Sequence, residues 1–176
     1  MICPSHGVIW KDNPTQIVEQ YLKWADGYQE NQITLVFDSM WDSTRKMAEA
    51  ITRGILQADS QVTVKLFNAA KMDKNDILSE VFKSKAILVG ASTINNGYSY
   101  AIAGILEMMH GLKFKNKKAA AFGSYGWSGE SVKMVSAELE KAGFARVHDG
   151  LRVQWVPDES ALTACESFGK EFVSLI

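Results

Sequence analysis

The fold is decided by residues 33–44, which read ITLVFDSMWDST. Residues 33–38 form a short, nearly continuous apolar run of the kind that makes a central parallel strand covered on both faces. The next residues are rich in hydroxyl side chains. Apolar residues at helical spacing then follow, namely Met47, Ala48, Ile51 and Ile55. A buried strand, a polar loop and an amphipathic helix are therefore predicted in succession.

The same unit recurs along the chain. Further strands are predicted at residues 62–67, 86–91, 118–123 and 147–155, each followed by apolar residues at helical spacing. Five such units joined by right-handed crossovers give an α/β fold with a doubly wound, five-stranded parallel sheet and helices on both faces. The flavodoxin-like strand order 2-1-3-4-5 is one of the two common forms of that sheet, and it is the order we expect here.

The first 30 residues lie outside this alternation. Asn13 followed by Pro14 is typical of a helix start, and apolar residues at helical spacing come after it. We therefore interpret residues 1–30 as a linker with one helix, and residues 31–176 as the α/β domain.

The charge balance argues against a polyanionic partner. The chain has 19 basic and 20 acidic residues, so no global field would hold nucleic acid. Four lysines cluster between a predicted helix and strand, where we expect a solvated loop, with a docking patch for an acidic protein as the alternative. These are Lys113, Lys115, Lys117 and Lys118.

The compartment is predicted from cysteine usage and the lack of targeting signals. Cys3 and Cys165 fit neither a disulfide framework nor a zinc-binding pattern. The sequence shows no signal peptide and no apolar segment of membrane-spanning length. We therefore predict a cytoplasmic protein without membrane contact.

Ligands of an open parallel sheet bind beyond the carboxyl ends of its strands, which directs attention to the loop after the first strand. Ser39, Ser43 and Thr44 place three hydroxyls there, beside the positive end of the following helix. This combination suits a phosphate group. The alternative is an ordinary N-cap, in which Asp42 or Ser43 accepts from the helix N–H groups and no ligand is bound.

Two further loops occupy equivalent places. After the third strand the sequence reads STINNGY (residues 92–98), whose Asn and Gly residues also suit a simple turn. After the fourth it reads GSYGWSG (residues 123–129), which sets Tyr125 and Trp127 among three glycines. Flat side chains beside flexible backbone suit a planar ring, with a hydrophobic lid over the sheet as the alternative.

Other chemistries lack their usual motifs. No GxGxxG follows the first strand and no Walker motif occurs, which disfavours dinucleotide binding and P-loop phosphoryl transfer. The stretch GWSG is one residue short of a GxSxG hydrolase elbow. A phospho-accepting receiver would need an acidic cluster, and although Asp38 ends the first strand, the third strand ends in Ala91 and Ser92 and not in an Asp.

Taken together, the three loops resemble the flavodoxin domain of the flavodiiron proteins, and among these the flavorubredoxin type that reduces nitric oxide anaerobically. The resemblance covers nearly the whole chain and implies FMN as the cofactor. It implies that the first loop holds the FMN phosphate and that the other two flank the isoalloxazine ring. The implied FMN-binding residues are Ser39, Met40, Trp41, Ser43, Thr44, Ser92, Thr93, Ile94, Asn95, Asn96, Ser124, Tyr125, Gly126, Trp127 and Gly129.

One residue departs from the resemblance. The family usually has Gly or Asn where Asp42 stands, and a carboxylate would repel a phosphate dianion unless it turned outward. Asp42 is therefore expected either to be a solvent-facing cap or to weaken FMN binding.

The resemblance extends to the start of the chain. CPSHGVIW, residues 3–10, is similar to the tail of a metallo-β-lactamase-like diiron domain, in which the histidine is an iron ligand. His6 has no HxHxD-like cluster with it, so no metal site is expected within this chain and no catalytic side chain is assigned. Residues 1–30 are accordingly expected to be the end of a missing diiron domain, and residues 31–176 the FMN domain.

The resemblance also implies partners. The expected function is to relay electrons from a rubredoxin-like or reductase donor, through FMN, to a diiron centre that reduces nitric oxide or dioxygen. The chain alone would then be an electron carrier and a monomer. The alternatives are a stand-alone FMN reductase acting on quinone and a non-catalytic receiver-like domain.

Overall fold

The computed structural model describes all 176 residues, in which helices and strands alternate. The helices are α1 (Pro14–Ala25), α2 (Ser43–Ala58), α3 (Lys74–Lys83), α4 (Tyr100–Leu112), α5 (Ser131–Lys141) and α6 (Glu159–Ser174). The strands are β1 (Glu30–Phe37), β2 (Thr63–Asn68), β3 (Ser84–Gly90), β4 (Lys118–Tyr125), β5 (Ala145–Arg146) and β6 (Leu151–Gln154). The helix that Asn13 and Pro14 predict is present as α1.

The sheet is parallel and has the predicted order. It runs β2-β1-β3-β4-β5, and β6 also pairs with β4. Phe37 of β1 pairs with Gly90 of β3, which pairs with Phe122 of β4, so the carboxyl ends of these strands share one edge. The loops after β1, β3 and β4 therefore meet there, as expected for a doubly wound fold.

The fifth position of the sheet is divided between two short strands. We predicted a single strand over residues 147–155, and these bounds were wrong. β5 pairs with the start of β4, whereas β6 pairs with its end. Gly150 interrupts the edge with a φ of +95°, and a Cβ there would lie 2.8 Å from the Ala121 carbonyl oxygen. The chain thus approaches β4 so closely between β5 and β6 that regular pairing breaks.

Apolar side chains form a separate core on each face of the sheet. The core under α3, α4 and α5 contains 21 buried residues, and the core under α2 and α6 contains 17. Covering both faces explains why β1, β3 and β4 are apolar at nearly every position. The two cores fix the helix starts that border the carboxyl edge.

The amino-terminal arm, residues 1–26, stands apart from both cores. No residue of α1 is buried. Its Trp24 meets Phe82 edge-on, with ring centroids 6.0 Å apart. Ile2 and Trp10 pair as a small antiparallel bridge. None of the helices combines the length and apolar character needed to cross a bilayer.

The lysine cluster is less solvated than its sequence suggested. Lys117 is only 4% exposed. Its Nζ donates to the carbonyl oxygens of Phe82 (2.8 Å) and Ser84 (2.6 Å), where α3 ends and β3 begins. Burial lowers the pKa of Lys117 to about 8. This side chain ties the end of α3 to β4, while its neighbour Lys118 is exposed.

Candidate functional site

The three loops predicted to bind a ligand surround one cavity, which we call the carboxyl-edge cavity. Its volume is about 390 Å³, within the range of small-molecule and cofactor sites. No lining side chain is charged. The lining residues are Met40, Trp41, Ser43, Ser92, Thr93, Ile94, Ser124, Tyr125, Gly126, Trp127, Trp155 and Val156.

A cluster of three hydroxyls joins the loops beneath this cavity. Thr44 Oγ1 lies 2.9 Å from Ser92 Oγ and 2.9 Å from Ser124 Oγ, and the two serine oxygens are 3.3 Å apart. Thr44 is fully buried. We call these residues the hydroxyl trio. Because these residues come from the first turn of α2, the loop after β3 and the end of β4, the trio holds the three segments in one relative position.

The first loop presents free backbone donors. The N–H groups of residues 40–45 have no hydrogen-bond acceptor, and they lead directly into the 16-residue helix α2. Such a run of N–H groups at the positive end of a helix is an anion-binding arrangement. Ser39 Oγ is also buried there without a hydrogen-bond partner. Together these groups can bind a phosphate without any Lys or Arg.

Asp42 directs its carboxylate away from this arrangement. Its backbone is left-handed, with a φ of 64°, and its side chain caps no helix N–H group. The carboxylate lies 3.0 Å from Arg45 Nε and is 63% exposed. The Arg45 guanidinium holds the pKa of Asp42 below its usual value. Asp42 therefore faces solvent, in agreement with one of our two expectations. Its side chain does not cap the helix.

The second loop is built around a tight turn. Ile94 and Gly97 exchange backbone hydrogen bonds of 3.1 and 2.8 Å, which places Asn95 and Asn96 at the exposed tip. Both asparagines have a positive φ, which that residue type tolerates in turns. Thr93 lies nearer the sheet, where its hydroxyl donates to Ser131 Oγ of α5 (2.9 Å).

The third loop supplies the aromatic wall. Tyr125 and Trp127 both line the cavity, and Trp127 is 87% exposed. A Cβ at Gly126 would lie 2.9 Å from the Trp155 ring, and one at Gly129 would lie 3.0 Å from the Tyr125 ring. These two glycines let the aromatic rings pack directly on the backbone.

Two lining residues were missed from the sequence. Trp155 and Val156 follow β6, and the Trp155 ring meets Trp127 edge-on with centroids 5.1 Å apart. The backbone N–H of Trp155 donates to the backbone carbonyl oxygen of Tyr125 (2.7 Å). A tryptophan at the end of the last predicted strand was the available signal.

Most of the predicted site residues meet at the cavity, and the others lie around it. Thr44 is buried below the cavity in the hydroxyl trio, and Ser39 is covered beside it. Asn95 and Asn96 project at the turn tip, and Gly129 supports Tyr125. None of these five residues lines the cavity itself.

Comparison with known proteins identifies the family. The family model described as Flavodoxin matches residues 35–169, which include all three loops. The chain belongs to the flavodoxin family. This flavodoxin domain is 54% identical to the anaerobic nitric oxide reductase flavorubredoxin of Escherichia coli K12 over 171 residues. The match covers 97% of this chain and 36% of that protein, so the domain spans about a third of the relative's length.

Solved structures agree with this assignment. Rubredoxin oxygen:oxidoreductase from Desulfovibrio gigas superposes with a TM-score of 0.90 at 34% identity, covering 98% of this flavodoxin domain and 43% of that chain. The flavodiiron protein of Giardia intestinalis shares the fold, with a TM-score of 0.86 at 24% identity, covering 93% of this domain and 41% of that chain. The resemblance to the flavodoxin part of flavodiiron proteins is thereby confirmed.

Membership in the flavodoxin family implies FMN as the cofactor, and the site fits it. FMN combines a phosphate, a polar chain and a planar ring. The free N–H groups of residues 40–45 and the unpartnered Ser39 hydroxyl suit the phosphate. The aromatic wall suits the planar ring. No group of three or more His, Cys, Asp and Glu side chains is placed to hold a metal ion.

Proposed function

We propose that this chain is an FMN-binding electron-transfer domain that serves a diiron centre reducing nitric oxide or dioxygen. The observation that supports it best is the division of the carboxyl-edge cavity into two kinds of surface. Unpaired backbone donors lie at its first loop, and aromatic side chains lie at its third. A phosphate-bearing planar cofactor needs both.

In this proposal the first loop holds the phosphate. The N–H groups of Met40, Trp41, Ser43 and Thr44 donate to it, together with the Ser39 hydroxyl. Thr93, Ile94, Asn95 and Asn96 would contact the ring from one side. Tyr125, Gly126 and Trp127 contact it from the other side, and Ser92, Ser124 and Gly129 keep these contacts in place.

The protein's part in electron transfer is to position the ring and expose its edge. Bound FMN supplies the chemistry of accepting and releasing electrons one at a time. Trp41 and Trp127 are 83% and 87% exposed, so the aromatic side of the cavity opens directly to the surface. Electrons can then pass to and from a partner without any side chain acting as acid, base or nucleophile.

The partners follow from the relatives, whose names include rubredoxin and flavodiiron. We propose a rubredoxin-like or reductase donor, and a diiron domain as the acceptor. Residues 1–30 would be the linker from that domain, and His6 a ligand of its iron. The isolated flavodoxin domain would be a monomer.

The two free cysteines suit a reducing compartment, and we propose the cytoplasm.

The deciding experiment is FMN binding by the purified chain. Protein incubated with FMN and desalted should be yellow, should bleach with dithionite and should melt at a higher temperature than the apo form. A colourless protein whose melting temperature FMN leaves unchanged would refute the proposal. Rapid quinone turnover with a nicotinamide donor, without any partner protein, would instead favour a stand-alone reductase.

A further inference from the structure

Arg152 differs from every other arginine of the chain. The chain has four arginines, and three are paired: Arg45 with Asp42 and Glu49, Arg53 with Glu166, and Arg146 with Glu140 and Asp149. Arg152 has no carboxylate within 4.0 Å. Its charge is therefore not neutralised by a neighbour, although it is partly screened by solvent.

This unpaired charge lies against the wall of the carboxyl-edge cavity. Arg152 lies in β6, where it pairs with Gly123 of β4. Its guanidinium carbon is 5.9 Å from the centroid of the Tyr125 ring, and Nη1 is 3.5 Å from the Gly129 carbonyl oxygen. Tyr125 lines the cavity and Arg152 does not. The tyrosine ring therefore separates the guanidinium from the ligand space.

Three carboxylates near the cavity have hydrogen-bond donors, and one of them is paired with a cation. The Asp42 carboxylate is held by Arg45, and the Asp38 carboxylate accepts from the N–H of Ser39 (2.8 Å). The Glu130 carboxylate accepts from the Ser128 hydroxyl (2.8 Å). No lining side chain is charged, and the Arg152 guanidinium is the cation that lies over the Tyr125 ring of the cavity wall.

We propose that Arg152 raises the reduction potential of FMN by acting through the Tyr125 wall. Reduction adds negative charge to the cavity, and a fixed positive charge behind an aromatic ring stabilises the reduced state more than the oxidised one. Arg152 is a positioning residue, because it touches Tyr125 and not the cofactor. This inference rests on the proposed FMN site.

The test is a reductive titration of the FMN-loaded protein with dithionite and reference dyes. In Arg152→Gln, the affinity for reduced FMN should fall about threefold relative to the affinity for oxidised FMN, as expected for an exposed charge that solvent partly screens. For the two-electron couple between oxidised and fully reduced FMN, that ratio corresponds to a midpoint potential about 14 mV lower. The difference from the wild type should shrink as ionic strength rises.

Two further variants separate charge from packing. Arg152→Lys keeps the charge and should keep most of the wild-type potential. Lys133→Gln removes a charge from α5, and Lys133 borders the same surface cleft as Arg152. This variant should change the potential by less than half of the change in Arg152→Gln. Equal potentials in the wild type and Arg152→Gln would overturn the inference. So would equal falls in Arg152→Gln and Arg152→Lys, because the charge would then not be the cause.

The outcome also distinguishes this inference from the proposed function. If the wild-type protein binds no FMN, the function fails and no potential can be measured. If FMN binds with similar affinity in all three variants but Arg152→Gln leaves the potential unchanged, only the role of Arg152 fails.

Discussion

The Thr44 hydroxyl oxygen lies 2.9 Å from that of Ser124, although 80 residues separate the two in sequence. One begins α2 and the other belongs to the end of β4. This contact, together with that to Ser92, connects the first loop of the cavity to the second and third. The two ends should therefore respond together when the contact is removed.

Thr44→Val tests that coupling. Valine keeps the shape but leaves the Ser92 and Ser124 hydroxyls with only each other, which should lower stability by about 1–2 kcal/mol. Because all three loops loosen, FMN and riboflavin should both bind about tenfold more weakly, as fluorescence titration would show. A loss confined to FMN would indicate that Thr44 acts on the phosphate alone.

Ser39→Ala should weaken the binding of FMN but not that of riboflavin. The Ser39 hydroxyl is buried without a partner, so its removal should not destabilise the apo protein. It should weaken FMN about tenfold, because a donor to the phosphate is lost, and leave riboflavin unchanged. Equal binding of FMN by the wild type and the variant would exclude this hydroxyl from the phosphate site.

Asp42→Asn should strengthen FMN binding. Asparagine tolerates the left-handed backbone and removes a negative charge near the phosphate, so a gain of about threefold at low salt is expected. The gain should fade in high salt. Asp59→Asn makes the same charge change at the far end of α2 and serves as the control. Similar gains in both variants would point to net charge and not to the loop.

Two glycine substitutions test the packing of α2 on α6. A methyl group at Gly54 would overlap the backbone carbonyl of Glu166, whereas one at Gly111 of α4 would meet no atom within 4 Å. Gly54→Ala should lower the free energy of unfolding by about 3 kcal/mol or more. Gly111→Ala should raise it by about 0.5–1 kcal/mol. Urea denaturation of both variants measures the contrast, and equal effects would contradict the close helix contact.

Lys117 should make stability depend on pH. Its pKa is lowered to about 8 from 10.5, so between these values the unfolded chain binds more protons and stability should rise with pH. The rise should be about 1.5 kcal/mol after a discount for residual solvation. Lys117→Met should remove it, and the exposed Lys118→Met should not. Parallel pH profiles for the wild type and Lys117→Met would contradict the buried charge.

The sequence predicted the features that depend on local pattern. Apolar runs at β1, β3 and β4 located the centre of the sheet, because strands covered on both faces leave few polar positions. Loop chemistry located the cavity for a similar reason, since carboxyl ends of parallel strands meet at one edge. The strand order was expected as one of the two common orders of a doubly wound sheet.

What escaped prediction depends on individual backbone conformations and distant contacts. The left-handed backbone of Gly150 splits the last strand, and Trp155 at the end of β6 contacts Trp127. Lys117 looked like part of a solvated cluster because its partners, the carbonyl oxygens of Phe82 and Ser84, are more than thirty residues away. The lack of a carboxylate partner for Arg152 likewise follows only from the positions of the carboxylates in the folded chain.

The independence of α1 from both cores has a mechanical consequence. Because this helix buries no residue, it adds little to the free energy that holds the sheet together. Its attachment is an aromatic contact between Trp24 and Phe82, at the edge of the sheet opposite the cavity. Loss of the arm should therefore cost the sheet little stability and should leave the carboxyl-edge cavity, at the opposite edge of the sheet, unchanged.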